Sequence, residues 1–139
     1  MKVVIDASMS LAWLFERSKS EEGACAQRML SSMAIAKSIV PPLWHTEIAN
    51  TLLIGERRNV VSEAQVIDYL NSLSNLPIAT DNTAAEHRRE QVMGLAREYK
   101  LTAYDVTYLD LALRTGSILA TFDRELAEAM CRAGGTVFQ

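Results

Sequence analysis

Three observations predict an α/β domain built on a short parallel sheet with helices on both faces. The chain opens on an apolar β-branched run, Val3-Val4-Ile5, of the kind buried on both faces inside a parallel sheet. Brief strand-like runs then alternate with longer segments of helical periodicity, which implies right-handed crossovers between parallel strands. The 139 residues suffice for one core but not for two, so residues 1–139 are read as a single domain.

The elements follow in order. After the first strand, Leu11 to Phe15 form a short apolar helix. Ser18 and Glu21 have capping-box spacing and open a helix with Ala26, Met29, Leu30 and Met33 on its inner face. Ser38-Ile39-Val40 is a strand ended by Pro41-Pro42, which cannot continue a ladder but suit a helix start. From Leu43 the four-residue steps of Trp44, Ile48 and Leu52 mark a helix. A second capping box, Ser62 and Gln65, leads a helix packed through Val66, Ile67, Leu70 and Leu73. Pro77-Ile78-Ala79 suits an edge strand, where proline is tolerated. Thr83 and Glu86 repeat the capping spacing before a helix that runs to Tyr99. The next helix begins at Leu101, turns Val106, Leu109, Ala112 and Leu113 inward, and stops at Gly116. Ser117 to Thr121 is a strand, Leu126, Ala129, Met130 and Ala133 face a last helix inward, and Thr136-Val137-Phe138 offers a final strand.

Composition excludes several classes. The chain is 49% hydrophobic and 22% charged, ordinary for a folded soluble protein, with no apolar run near the ~20 residues of a membrane span. Met1-Lys2 leads straight into a strand without the pattern of a secretory signal, so a cytoplasmic location is expected. Cys25 and Cys131 lie far apart on helical stretches and are expected reduced; with only His45 and His87 beside them, a zinc site is not expected. The net charge of −3 gives no support to a polyanionic partner, but setting four acids aside in one metal site leaves the remainder at +1.

The chemistry rests on four such acids. Asp6 ends the first strand and Asp123 follows the strand at Ser117–Thr121, so both fall at the carboxyl edge of the sheet, where open α/β sheets bind ligands. Glu47 and Asp105 lie early in helices that leave or return to that edge. Each has a bland reading, since Asp is a favoured N-cap and acids favour the first helical turn. Four together would repel unless hard divalent cations occupied the cluster. Oxygen ligands suit Mg²⁺ or Mn²⁺, which serve in-line displacement at phosphorus, so the reaction implied is phosphodiester hydrolysis. Asp110 lies ~140° round the helix from Asp105 and is not a fifth ligand. Asp68 and Asp81 are expected solvated, His87 exposed, and Met29, Met33 and Met130 core; His45 is not needed as a base.

Four segments carry a resemblance. Val3-Val4-Ile5-Asp6-Ala7-Ser8, Pro42 to Asn50 (PLWHTEIAN), Leu101 to Leu109 (LTAYDVTYL) and Ala120 to Leu126 (ATFDREL) stand in one order across nearly the whole chain. In them the sequence resembles the PIN-domain ribonucleases, and within those the VapC toxins of toxin–antitoxin pairs. The resemblance implies a PIN-like three-layer α/β/α sandwich with a short central parallel sheet, and a Mg²⁺- or Mn²⁺-dependent endoribonuclease. Asp6, Glu47, Asp105 and Asp123 match the family's acidic quartet; Ser8, Asn50 and Thr121 match positions that brace it. It further implies a tRNA or rRNA substrate, a homodimer, and neutralisation by a cognate VapB-type antitoxin.

Arg57, Arg58, Arg88, Arg89, Arg97 and Lys100 are candidates to line an RNA groove, with Arg57 and Arg58 preferred for phosphate contact. Two rival readings stand beside this one. A catalytically silent PIN module would bind RNA or protein without cutting. A receiver-like or phosphatase-like phosphoryl-transfer domain would place a second acid next to Asp6 or two residues on, where Ala7 and Ser8 stand.

Overall fold

The computed structural model describes residues 1–139. Its strands are β1 (Lys2–Ile5), β2 (Lys37–Val40), β3 (Ile78–Thr80) and β4 (Ile118–Ala120), all parallel in the order β3-β2-β1-β4. The register pairs Val4 of β1 with Ile39 on one side and Leu119 on the other. Val3, Val4 and Ile5 are completely buried, as expected of a central strand covered on both faces. Both edges are short. β3 follows Pro77, and the outer side of β4 is met by the C-terminal tail through a single parallel bridge, Leu119 to Val137. That bridge is all that forms of the expected strand at Thr136–Phe138.

Seven helices flank the sheet: α1 (Ala7–Leu11), α2 (Ser20–Ser32), α3 (Pro42–Arg57), α4 (Glu63–Ser74), α5 (Arg89–Tyr99), α6 (Ala103–Thr115) and α7 (Arg124–Arg132). This is the α/β architecture expected. The local chemistry of several termini is that read from the sequence. Pro42 begins α3, Ser62 and Gln65 complete a reciprocal capping box on α4, and Gly116 closes α6 at φ 64°. At Gly55 the requirement is space, since an added Cβ would lie 3.0 Å from the Phe15 ring and 3.1 Å from Val61.

Four local expectations are corrected. The first helix begins at Ala7, straight after its cap Asp6, and Ala12 to Phe15 turn out of it. Neither Ser18–Glu21 nor Thr83–Glu86 forms a capping box: α2 is preceded by Lys19, and Thr83 bonds Asp81 instead. The segment after Thr83 is accordingly split into a 3-10 turn at Ala85–His87 and α5. On α4 the buried face is Val66 and Tyr69, with Ile67 and Leu70 left 51% and 41% exposed. Tyr69 points inward because its hydroxyl finds the Ser10 carbonyl at 2.7 Å. The Ser10 hydroxyl in turn donates to the Asp6 carbonyl and accepts the Trp44 indole N–H, each at 3.0 Å. One buried serine therefore ties α1, α3 and α4 together.

Asp81 is also not the solvated acid expected. It pairs with Arg114, and that guanidinium reaches Asp110 at 3.4 Å. Partial burial alone would raise the Asp81 carboxyl, but the bonds and charge of Arg114 hold it below its usual value. Asp110 is buried and takes two bonds from Arg88, 3.0 Å from Nε and 2.6 Å from Nη2. Arg88 is thus committed to Asp110 rather than free for an RNA groove. Met29, Met33 and Met130 are core and His87 and Asp68 exposed, as expected, whereas Cys131 is exposed and only Cys25 packs inside.

Asp110→Ala would leave two partly exposed guanidiniums without their shared acceptor. Urea unfolding should show a loss of roughly 2–4 kcal/mol, between the values for exposed and buried pairs. A change under about 0.5 kcal/mol, the range of surface substitutions, would show the network to be ornamental.

Candidate active site

Asp6 occupies the end of the central strand and is 5% exposed. It is the N-cap of α1, with Oδ1 accepting from the Met9 amide at 3.0 Å. Two hydroxyls brace the same carboxylate. Ser8 Oγ donates to Oδ1 at 2.7 Å and accepts the Phe122 amide at 2.9 Å. Thr121 Oγ1 donates to Oδ2 and accepts the Asp123 amide at 2.9 Å. Each hydroxyl thus joins Asp6 to the corner between β4 and α7. Asp123 caps α7, accepting from the Leu126 amide at 3.0 Å through Oδ1. The capping role and membership of an acidic group coexist, because a cap uses few of a carboxylate's lone pairs.

Charge links the acids. Burial raises the Asp6 carboxyl to about 6 against three hydrogen bonds that lower it, and repulsion from Asp123 adds to the rise. The Asp105 carboxyl is raised too, first by burial and then by Asp123 and Glu125, with a bond in which Thr102 takes part opposing. Asp105 sits in the first turn of α6, where the Thr102 hydroxyl accepts its amide at 3.2 Å. Glu47 lies on α3 and accepts from the hydroxyl of Tyr108, a buried residue on α6. Burial, then Glu47, pushes the Tyr108 phenol far up, so it stays a donor. Asp6 contributes to the same shift, which puts the Glu47–Tyr108 pair within the field of that acid.

Asp123 thus acts on both Asp6 and Asp105, and Asp6 acts on the Tyr108 phenol that bonds Glu47. No three carboxylates converge closely enough, as placed, to ligate one ion. The donor set is oxygen only, and its mutual repulsion is what a hard cation relieves, so its chemistry fits Mg²⁺ or Mn²⁺. Asn50 is exposed and bonds none of the acids. Arg57 and Arg58 stand at the far end of α3, ~15 Å along its axis from Glu47. His45 is exposed and bonds the Thr80 hydroxyl at 2.8 Å. The sequence reading missed Tyr108, since a tyrosine in the apolar run Val106–Leu109 reads as core; nothing local marks its bond to Glu47.

A buried acid with a raised pKa has a defined effect on stability. Well below pH 4, Asp6 is protonated in the folded and unfolded chains alike. As pH rises from about 4 to about 6 the unfolded chain ionises first, so the metal-free protein should lose about 3 kcal/mol. Asp6→Asn should lack this loss, so its stability relative to wild type should improve across that window in urea unfolding with EDTA present. Parallel pH curves for the two proteins would refute it.

Comparison with known proteins identifies the family and the fold. Residues 3–130 match the family model of the PIN domain. The chain is 30% identical over 128 residues to Ribonuclease VapC3 of Pyrobaculum aerophilum, with 92% of this chain and 94% of that protein covered. The crystal structure of PAE2754 from Pyrobaculum aerophilum is similar at a TM-score of 0.66 and 26% identity, covering 93% of this chain and 79% of that one. FitAcB from Neisseria gonorrhoeae, at a TM-score of 0.63 and 16% identity over 99% of this chain and 96% of that one, shares the fold. A match over nearly the full length, on a chain with this four-stranded parallel sheet, means that this protein belongs to the PIN-domain family.

Proposed function

We propose that this chain is a divalent-metal-dependent endoribonuclease of the VapC type. The observation that carries the reading is the buried, doubly braced Asp6 carboxylate beside Asp123, an acid that also acts on Asp105. Similarity to a protein named Ribonuclease VapC3 supports the substrate class. Asp6, Asp105 and Asp123 would hold Mg²⁺ or Mn²⁺, with Glu47 completing the shell directly or through water. When bound, the ion supplies an activated water and charge stabilisation for in-line displacement at phosphorus, leaving 5′-phosphate and 3′-hydroxyl ends.

The chain's own residues set the stage. Ser8 and Thr121 fix the plane of the Asp6 carboxylate against the β4–α7 corner, which limits the reorganisation needed when charge arrives. Tyr108 holds Glu47 by a donated hydrogen bond and leaves its other oxygen free. Ser8, Thr121 and Tyr108 act as positioning residues. Arg57 and Arg58 would meet the phosphates of a more distant stretch of RNA, with binding that weakens as salt rises.

Neutralisation by a VapB-type antitoxin, a tRNA or rRNA substrate and a homodimeric assembly belong to the same proposal. Exposed Leu53, Val60, Ile67 and Leu70 on and between α3 and α4 supply apolar surface for a protein partner. No helix is long and apolar enough to cross a membrane. One observation favours a second reading, a PIN module that binds without cutting: the carboxylates stand apart as placed, without three on one point. The family assignment leaves the receiver-like alternative without support.

Cleavage of RNA in Mn²⁺, and growth arrest on expression, should both vanish in Asp6→Asn and Asp105→Asn, each of which should remain folded. Cleavage at the wild-type rate by either variant rules out the assignment. Millimolar Mn²⁺ should raise the Tm of the wild type by binding only the folded state, and the rise should shrink in both variants. No shift in the wild type would favour the silent module.

A further inference from the structure

A cavity of about 460 Å³ opens against the first turns of α3 and α6. Pro42 and Leu43 of α3 and Ala103, Tyr104 and Thr107 of α6 wall it, so both helices that carry candidate ligands also border this space. Tyr104 immediately precedes Asp105 and is 65% exposed, the highest exposure of any aromatic ring among the large hydrophobic residues left in solvent. Met93 and Val92 of α5 form the opposite apolar wall.

The charged lining is uneven. Three arginines, Arg88, Arg89 and Arg114, face two aspartates, Asp81 and Asp110. Arg88 is held by Asp110, and Arg114 by Asp81 and Asp110. Arg89 has no ion-pair partner and is exposed at the start of α5. The cavity thus offers one aromatic face, apolar walls and one uncommitted cation, and is walled in part by helices that also carry Glu47 and Asp105. An unpaired nucleotide has the matching parts, a flat base and a phosphate, and single-stranded RNA is gripped through stacking plus charge.

We propose that the cavity between the first turns of α3 and α6 is a nucleotide subsite, where an unpaired base of the RNA stacks on Tyr104 and an adjoining phosphate pairs with Arg89. The inference rests on the ribonuclease reading and deepens it: the enzyme selects single-stranded RNA and seats a nucleotide close to the one it cuts. Tyr104 and Arg89 are binding residues, outside the group of acids. Arg88 and Arg114 serve as scaffold, since Asp110 and Asp81 already occupy them.

The test is the affinity of a fluorescein-labelled single-stranded oligoribonucleotide, measured by anisotropy in EDTA so that cleavage does not intervene. Tyr104→Ala should weaken binding about fivefold or more, the effect of losing one stacked base, while Tyr104→Phe and Tyr104→Trp stay close to wild type. Arg89→Ala should weaken binding and lower the slope of log Kd against log salt by about one. A duplex of the same sequence should be bound less tightly and be insensitive to Tyr104→Ala. Wild-type affinity in Tyr104→Ala overturns the subsite and leaves Tyr104 to a protein contact. Equal losses in Tyr104→Ala and Tyr104→Phe overturn the stacking role. If the wild type cleaves RNA while Tyr104→Ala binds and cleaves like it, only the subsite fails. If the wild type neither binds nor cleaves RNA, the ribonuclease reading fails and takes the subsite with it.

Discussion

The carboxylate of Asp6 must keep hydrogen-bonding partners while almost sealed from water, and much of the local architecture answers to that need. Desolvation of an anion on this scale is offset only by close donors, and here they come from three places in the chain. The Met9 amide is available because α1 starts immediately after the strand. Ser8 supplies one hydroxyl from that same helix and Thr121 the other from the end of β4. Both hydroxyls are acceptors as well, for the amides of Phe122 and Asp123, so the corner that launches α7 is anchored to the central strand. The same bonds that make the buried charge tolerable also bring the next acid alongside it. Stability and site are therefore coupled at one side chain.

Residual strain in this arrangement is electrostatic rather than steric. Asp6 and Asp105 are both raised by burial and by neighbours of like sign, and Tyr108 is held as a donor against Glu47. A fold that removed one acid would relax locally, in keeping with sites whose function conflicts with stability. Away from the site the opposite logic holds. Asp110 and Asp81 are matched by Arg88 and Arg114, which fasten α6 to the segments before α5 and after β3.

Much of this was legible in the chain because it depends on direction and period. Val3-Val4-Ile5 followed by Asp6, and Ile118 to Ala120 followed shortly by Asp123, put two acids at one sheet edge once the strands are parallel. Gly116 and the Ser62–Gln65 pair announced their helix ends through local chemistry. What escaped depends on partners distant in sequence. Tyr108 meets Glu47 across 61 residues and Arg88 meets Asp110 across 22, separations with no characteristic spacing. Capping-box spacing at Ser18 and Thr83 was present without the structure, since it states what a segment can form and tertiary contacts decide. At α4 the expected stripe holds at Val66 and Leu73 but not at Ile67 and Leu70, because Tyr69 gains a buried acceptor on Ser10 that those two cannot use.

The treatment of the sheet edges governs how this molecule can meet another. On one side β3 is three residues long and begins behind Pro77, leaving little ladder to extend. On the other, Leu119 spends its outward amide and carbonyl on Thr136 and Phe138 of the chain's own tail. Continuation of the sheet into a second chain is thereby discouraged at both ends, and with it the commonest route by which parallel sheets aggregate. What these edges leave for contact with a second chain is helical and loop surface, where side chains rather than backbone decide which partner is accepted.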